Sequence, residues 1–374
     1  MPRRIALLLE YPTLNGGERS MLQTLELLDS REFEIMALAP TAGRLAEALR
    51  VTSIEHVPFD LRDDADVRLP RDQVFAKLVE LIRRQAPDLL HANSLSMGRI
   101  TGAMAEQLAI PCVAHLRDII GLSRAAISDL NRNHTLIAVS HATREFHIAQ
   151  GLSARRTRVI FNGVDSDRFR PRPKTDALCR ELKIPGTSFV VLTIGQIGLR
   201  KGQDVLAAAA PAIAKDVSQV HFVIVGERNS SKDETIAYET KLESEFARAG
   251  LDDRLHLLGY RDDVAHLMNE ADLLVHPAKQ EPLGRVLLEA AASGLPMVAT
   301  DVGGTAEIVT DGMSARLVIP NDCEQLADAV IELAGDKKRR ARFTAAARQR
   351  VTRDFTPRAA ADNLTQVWRQ ALAD

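Results

Sequence analysis

The chain has 374 residues, 45% of them hydrophobic, 26% charged and only 4% aromatic, with a formal net charge of −2. That length suggests two or three domains and gives ample chain for two buried cores. Charges balance along the chain, with 20 basic and 20 acidic residues in the first 165, which with so few aromatics excludes a general nucleic-acid binder.

Cys112, Cys179 and Cys323 stand far apart without C-x-x-C spacing. They argue against a disulfide frame or a zinc site and suit a reducing compartment. The opening MPRRIALLLEYP has two arginines and then five apolar residues before Glu10. A signal sequence needs about 7–15, so this stretch is expected to be a first strand. No run approaches the ~18 apolar residues of a membrane span. A cytoplasmic protein is expected, with at most peripheral attachment to the inner face of a membrane.

Ile5 to Leu9 reads as a buried parallel strand, leading through Gly16-Gly17 into a helix from Glu18 to about Asp29. A glycine pair between strand and helix lets backbone N–H groups approach an anion. Strands are predicted over residues 34–39 and 54–58, with a helix over 43–50 between them. The polar loop that follows contains Asp63, Asp64 and Asp66, and is read as solvated rather than as a metal site. Gln73 to Gln85 has apolar positions at Val74, Leu78, Leu81 and Ile82, the spacing of an amphipathic helix. Strands over 88–92 and 111–116 come next, and His115 falls at the carboxyl end of the second, beside Arg117 and Asp118. In an open α/β sheet that end faces the ligand crevice, so His115 is a candidate to meet a substrate hydroxyl. Arg117 is read as a phosphate or acceptor contact, or as the partner of Asp118. Two more strands are predicted over 136–140 and 158–162, and Asn162-Gly163 suits a turn with positive φ. The segment RPRPKTD, Arg170 to Asp176, is proline-rich and charged and is read as the linker.

A second β/α alternation begins with a strand from Phe189 to Ile194, then GQIGLRKG, then a helix from Gln203. Glycines with Arg200 and Lys201 at a helix N-terminus make a diphosphate site, where backbone donors, helix dipole and fixed cations act together. Cations there would stabilise negative charge growing on a bound diphosphate electrostatically. Further strands are predicted over 220–226 and 254–259. Between them lies a polar insert from Glu227 to Lys232, read as pocket wall or solvated loop, and then a helix ending at Ala249. Asp262-Asp263 is read as a helix cap.

The densest stretch is His276 to Val309, HPAKQEPLGRVLLEAAASGLPMVATDVGGTAEIV. It reads as strand end, loop, helix from Gly284 to Ala292, strand from Met297 to Ala299, and a Gly303-Gly304 turn before Glu307. Glu281 falls on the loop and Glu289 about two turns into the helix. Carboxylates at such a crevice accept hydrogen bonds from two hydroxyls at once, as a sugar or ribose diol offers. A short strand over 315–319 and helices from Asp322, Asp336 and Thr356 complete the chain. KKRRAR, Lys337 to Arg342, is read as a solvated face first and an anionic-surface patch second.

The string from Glu281 to Val309, with seven residues between Glu281 and Glu289, the PLG insert, SGLP and GG-x-x-E-I-V, resembles the signature of retaining GT-B glycosyltransferases, specifically glycosyltransferase family 4. GGER at Gly16 to Arg19 resembles the family's GG-x-E-R element with the intervening residue missing. NGVD at Asn162 to Asp165 resembles the element that closes the family's first domain, and LLGYRDDV resembles its loop near the nucleotide base. The resemblance implies an α/β chain of two Rossmann-like domains facing a central cleft. The domains would be an acceptor-side domain over 1–170, a nucleotide-sugar domain over 171–355, and a C-terminal helix over 356–374 packing back on the first.

It also implies retaining transfer of a hexosyl group from a nucleotide-diphosphate sugar to a saccharide, lipid-linked or small-molecule acceptor, in cell-surface glycan biosynthesis, with no metal and no cofactor. Glu281 would hold donor-sugar hydroxyls, with Lys201, Arg200 and His115 completing the catalytic set. Glu289 would hold the ribose, and Leu283, Gly284, Gly16, Gly17, Gln196 and Arg261 would complete the donor site. The sequence departs from the family at Gln196, where an arginine is usual. Two readings stay open beside it: a nucleotide-sugar epimerase of the same fold, and a non-catalytic nucleotide- or glycan-binding relative. A dehydrogenase is disfavoured because no strand-linked G-x-G-x-x-G appears. The sequence does not fix the oligomeric state.

Overall fold

The computed structural model describes the chain except residues 64, 66 and 229–231. Asp64 and Asp66 of the acidic loop, and the middle of the polar insert, therefore lie outside the described residues. The chain forms two compact units, Met1–Gly163 with Pro357–Asp374, and Val164–Thr356.

In the first unit the strands are β1 (Arg3–Leu8), β2 (Phe33–Ala39), β3 (Glu55–Pro58), β4 (Leu89–Ala92), β5 (Cys112–Leu116), β6 (Thr135–Ala138) and β7 (Thr157–Val159). They form one parallel sheet in the order β3-β2-β1-β4-β5-β6-β7. Both faces are covered, which is why these strands are near-continuous apolar runs rather than alternating ones. Period-two geometry sorts the side chains between two cores. Ala6, Leu8, Leu90 and Ala114 join one. Ile5, Leu7, Leu89 and Val113 join the other, together with Leu364 and Trp368 of the terminal helix Pro357–Ala373. That helix thus belongs to the first unit's core.

The second unit holds β8 (Phe189–Ile194), β9 (Val220–Val225), β10 (Leu255–Leu257), β11 (Leu273–His276), β12 (Met297–Thr300) and β13 (Arg316–Val318). Their parallel order is β10-β9-β8-β11-β12-β13. In each sheet the order reverses beside the unit's first strand, between β1 and β4 and between β8 and β11. Loops leaving the carboxyl ends at these switch points diverge and open a crevice.

Several expectations are corrected. The first helix runs Gly16–Leu25, so the glycine pair lies inside its first turn. The Asn15 N–H donates to the Glu18 carboxylate at 3.1 Å, and that reach-back starts the helix two residues early. Neither Asn162 nor Gly163 has a positive φ. Instead the Asn162 Oδ1 accepts from Arg117 at 3.2 Å. The second unit begins at Val164, ahead of the proline-rich segment, whose N–H and side-chain donors bind Asn269, Glu270 and Asp272 at 2.6–2.9 Å. The expected linker is therefore a strap on that unit. Asp263 stands at a helix start without capping it, because its carboxylate is bonded to Arg261. In the basic helix Lys337–Asp354, Arg340 donates to the Ala334 carbonyl at 2.7 Å. It closes the C-terminus of the preceding helix, Cys323–Gly335, where a cation is favoured.

Candidate active site

At the switch point of the second sheet, two loops meet. The loop after β8 forms a short turn, Leu199–Lys201, before the helix Gln203–Asp216. Gly202, at φ +67°, joins them, and a Cβ there would lie 1.9 Å from the Pro277 carbonyl oxygen. Only glycine lets the two backbones come so close. The Lys279 N–H then donates to the Arg200 carbonyl at 2.8 Å. The Lys279 ammonium reaches Asp204 at 2.7 Å, and Asp204 in turn accepts from Tyr238 at 2.9 Å. Gly202→Ala is therefore expected to destabilise the protein by at least about 2 kcal/mol, through left-handed strain and the backbone clash together. A thermal melt within 1 °C of the parent would disprove that coupling.

This docking brings Lys201 onto Glu281. The ammonium lies 2.5 Å from Glu281 Oε2, and His276 Nε2 lies 2.8 Å from the same oxygen. Glu281 and His276 are both buried, at 6% and 2% exposure. Burial opposes the charge on Glu281, yet Lys201 and His276 hold its carboxyl far below the usual carboxylate range. Burial, with Lys201 and Arg200 nearby, pushes the His276 imidazole down against the pull of Glu281. The imidazole is thus neutral, and because a carboxylate only accepts, its proton sits on Nε2. Both bonds fall on Oε2, and Oε1 takes part in neither. The Glu281 carbonyl also accepts from the Gly304 N–H at 3.0 Å. A Cβ on Gly304 would lie 2.6 Å from the Pro282 carbonyl oxygen, so that glycine clamps the Glu281 loop.

The helix Arg285–Ser293 starts from Gly284 at φ +103°. Glu289 lies one turn into it rather than two, paired i,i+4 with Arg285 at 2.7 Å and buried. Leu283 is buried at the helix start. Gln196 is exposed, and its carbonyl accepts from Gln203 at 3.0 Å. Arg261 is not in this cluster of contacts: its guanidinium grips Asp263 at 2.6 Å and Glu181 at 2.5 Å. Two carboxylates thus already occupy the side chain expected near the nucleotide. His276 is the residue that sequence reasoning passed over as a strand end. Its position at the carboxyl end of β11, directly before Pro277, was the available signal.

In the first unit, His115 Nδ1 lies 2.8 Å from His91 Nε2, and the Trp368 indole donates to His91 Nδ1 at 2.9 Å. Arg117 donates to Asn93 at 2.8 Å as well as to Asn162. A Cβ on Gly17 would lie 2.9 Å from Arg117 Cδ, so Gly17 makes room for the arginine side chain. Glu18 is buried beneath, and burial raises its pKa. Among the described residues no group of three or more His, Cys, Asp or Glu side chains is placed to hold a metal ion.

Comparison with known proteins decides the family. Residues 175–350 match the family described as Glycosyl transferases group 1, and residues 14–168 match Glycosyltransferase Family 4. The chain belongs to the family 4 (group 1) glycosyltransferases. Among these enzymes it is 27% identical over 345 residues to UDP-Gal:alpha-D-GlcNAc-diphosphoundecaprenol alpha-1,3-galactosyltransferase of Escherichia coli, covering 87% of this chain and 86% of that protein. It is 26% identical over its whole length to GDP-mannose-dependent alpha-mannosyltransferase of Corynebacterium glutamicum, of which it covers 90%. The crystal structure of Anabaena HepE with UDP and glucose superposes with a TM-score of 0.86 at 26% identity, over 98% of this chain and 99% of that one. The glycosyltransferase WaaG, at 18% identity, TM-score 0.74 and 96% and 99% coverage, shares the GT-B fold. These relatives give the epimerase reading no support. No helix among the described residues is long and apolar enough to cross a membrane.

Proposed function

We propose that this glycosyltransferase moves a hexosyl group, with retention and without a metal, from a nucleotide-diphosphate sugar to a saccharide, lipid-linked or small-molecule acceptor. The carrying observation is the cluster at the switch point of the second sheet in which half-buried Lys201 meets buried Glu281 and His276. Glu281 is ionised, oriented by two donors on one oxygen, and has a second oxygen for sugar hydroxyls. Hydroxyls buried without partners would be costly, so a sugar site needs such an acceptor. Lys201 and Arg200, with the backbone at Leu283 and Gly284, hold the diphosphate. As the glycosidic bond to it breaks, negative charge grows on its oxygens and these donors stabilise it. Glu289 accepts from the ribose diol. Gly16 and Gly17 give backbone donors at a helix start, and His115 meets a substrate hydroxyl.

HepE binds UDP and glucose, and the E. coli and C. glutamicum relatives are named for UDP-Gal and GDP-mannose. Donors of these nucleotide classes are therefore the first to test. A polyprenyl-diphosphate-linked saccharide is the acceptor class that the E. coli relative's name suggests. Cell-surface glycan synthesis at the inner face of the membrane follows from that acceptor. Thermal shift against UDP-, GDP- and ADP-sugars should single out one nucleotide, stabilising by about 2.7 kcal/mol at a hundred times its Kd. Product mass with candidate acceptors should then show one added hexose. No shift with any nucleotide, or sugar isomerised without an acceptor, would overturn the reading.

A further inference from the structure

We infer that Trp368, through His91, fixes the tautomer of His115, so that the site histidine presents an Nε2–H donor to its ligand. The three groups come together by sheet register. His91 of β4 is paired with Val113 of β5, and side chains two residues apart share a face. His115 therefore stands one same-face position farther toward the carboxyl end. The terminal helix covers this face and inserts Trp368, which is fully buried. The two imidazole planes are inclined by 28° with centroids 4.9 Å apart, and the indole meets His91 edge-on at 5.6 Å.

Proton accounting then runs in one direction. An indole N–H can only donate, so His91 Nδ1, at 2.9 Å, is an acceptor and carries no proton. A neutral imidazole has one proton, which in His91 must sit on Nε2. That nitrogen lies 2.8 Å from His115 Nδ1, which accepts in turn. The single proton of His115 is left on Nε2. Neutrality of both rings is secured by burial and by Arg117, which push His91 down to about 3 and His115 well below the usual range.

The consequence is chemical. His115 donates to an oxygen acceptor, such as a sugar hydroxyl, and does not take a proton at that nitrogen unless His91 changes tautomer against the indole. It is an orienting donor and not a general base. Trp368 and His91 are positioning residues, which gives the terminal helix a part in the chemistry as well as in packing. The role toward a sugar rests on the function proposed above, whereas the tautomer does not.

The test uses the full chain with 15N-labelled histidine and tryptophan. Long-range 1H–15N spectra should show Nε2 of both histidines as the protonated, pyrrole-type nitrogen. Scalar couplings should cross both N–H···N bonds. A protonated Nδ1 on His115 would overturn the inference with no variant needed. In Trp368→Phe, the His115 signal should move toward a mixture of tautomers. An unchanged, single Nε2–H tautomer in that folded variant would remove Trp368 from the role. Titration of the same sample with UDP and GDP separates the two readings. Loss of nucleotide binding by the parent would sink the proposed function and leave the tautomer result standing.

Discussion

Glu281→Gln is expected to lower kcat about a hundredfold or more while leaving nucleoside diphosphate affinity within a few-fold of the parent. The substitution keeps the shape of the side chain and removes its charge. In the parent, Lys201 and His276 both donate to Oε2, and the carboxylate has a second oxygen for the substrate. A glutamine offers a single carbonyl oxygen and puts its NH2 at one of the two oxygen positions, either against Lys201 and His276 or against the sugar hydroxyls. Contacts to sugar hydroxyls that strengthen as the glycosidic bond breaks are then lost from the transition state. The diphosphate contacts assigned to Lys201 and the loop backbone are kept, so binding and turnover should separate. Steady-state kinetics and a nucleotide titration on the same preparation check this. An unchanged kcat would remove Glu281 from the chemistry, and parallel loss of binding and rate would indicate that the loop had collapsed.

What sequence reasoning reached, and what it missed, follows from how local each signal is. Strands β1, β8 and β11 are runs of apolar residues bounded by glycine, proline or charge, and such runs announce themselves. Glu281 and Glu289 were found because they stand in one short, ordered string that resembles the family signature. The helix Leu95–Ala103 gave no expectation, because its glycines and threonine lower helix propensity. Gly102 is there for packing: a Cβ would lie 1.8 Å from the Asp129 carbonyl oxygen of a neighbouring helix. The Lys201–Glu281 pair joins residues 80 positions apart, and Trp368–His91 joins residues 277 apart. Neither has a periodicity to read, because both arise from sheet order and register. The ion pairs of Arg261 were hidden for the same reason, since Glu181, from a helix absent from the sequence reading, supplies half of its cluster. Local chemistry thus named the acids and the cations, and topology decided which of them touch.

Lys201→Ala should be the most disruptive single change in this cluster, weakening nucleoside diphosphate binding and costing about 3 kcal/mol of stability. The stability loss comes from the partner left behind. Glu281 is buried, and Lys201 is the foremost group opposing the desolvation of its charge. In the parent, the depressed folded pKa means that Glu281 contributes stability that is fully present above its unfolded pKa of about 4.3. That contribution is lost as pH falls toward the folded value. Without Lys201, burial dominates and the carboxyl rises above its unfolded value, so the sign reverses. The variant should then be penalised at neutral pH and relieved on acidification, as the carboxyl takes up a proton. The gap in Tm between parent and variant should narrow from about pH 7 to about pH 4. Adding Glu281→Gln to Lys201→Ala should restore part of the lost stability, because the unpaired charge is gone. It should not restore nucleotide affinity. Thermal melts across pH and a titration with UDP and GDP measure both effects. A pH-independent gap, or additive losses in the double variant, would mean that the two side chains are not an electrostatic unit. Unaltered affinity for the nucleotide bound by the parent would take Lys201 out of the diphosphate site and leave it as a support for Glu281 alone.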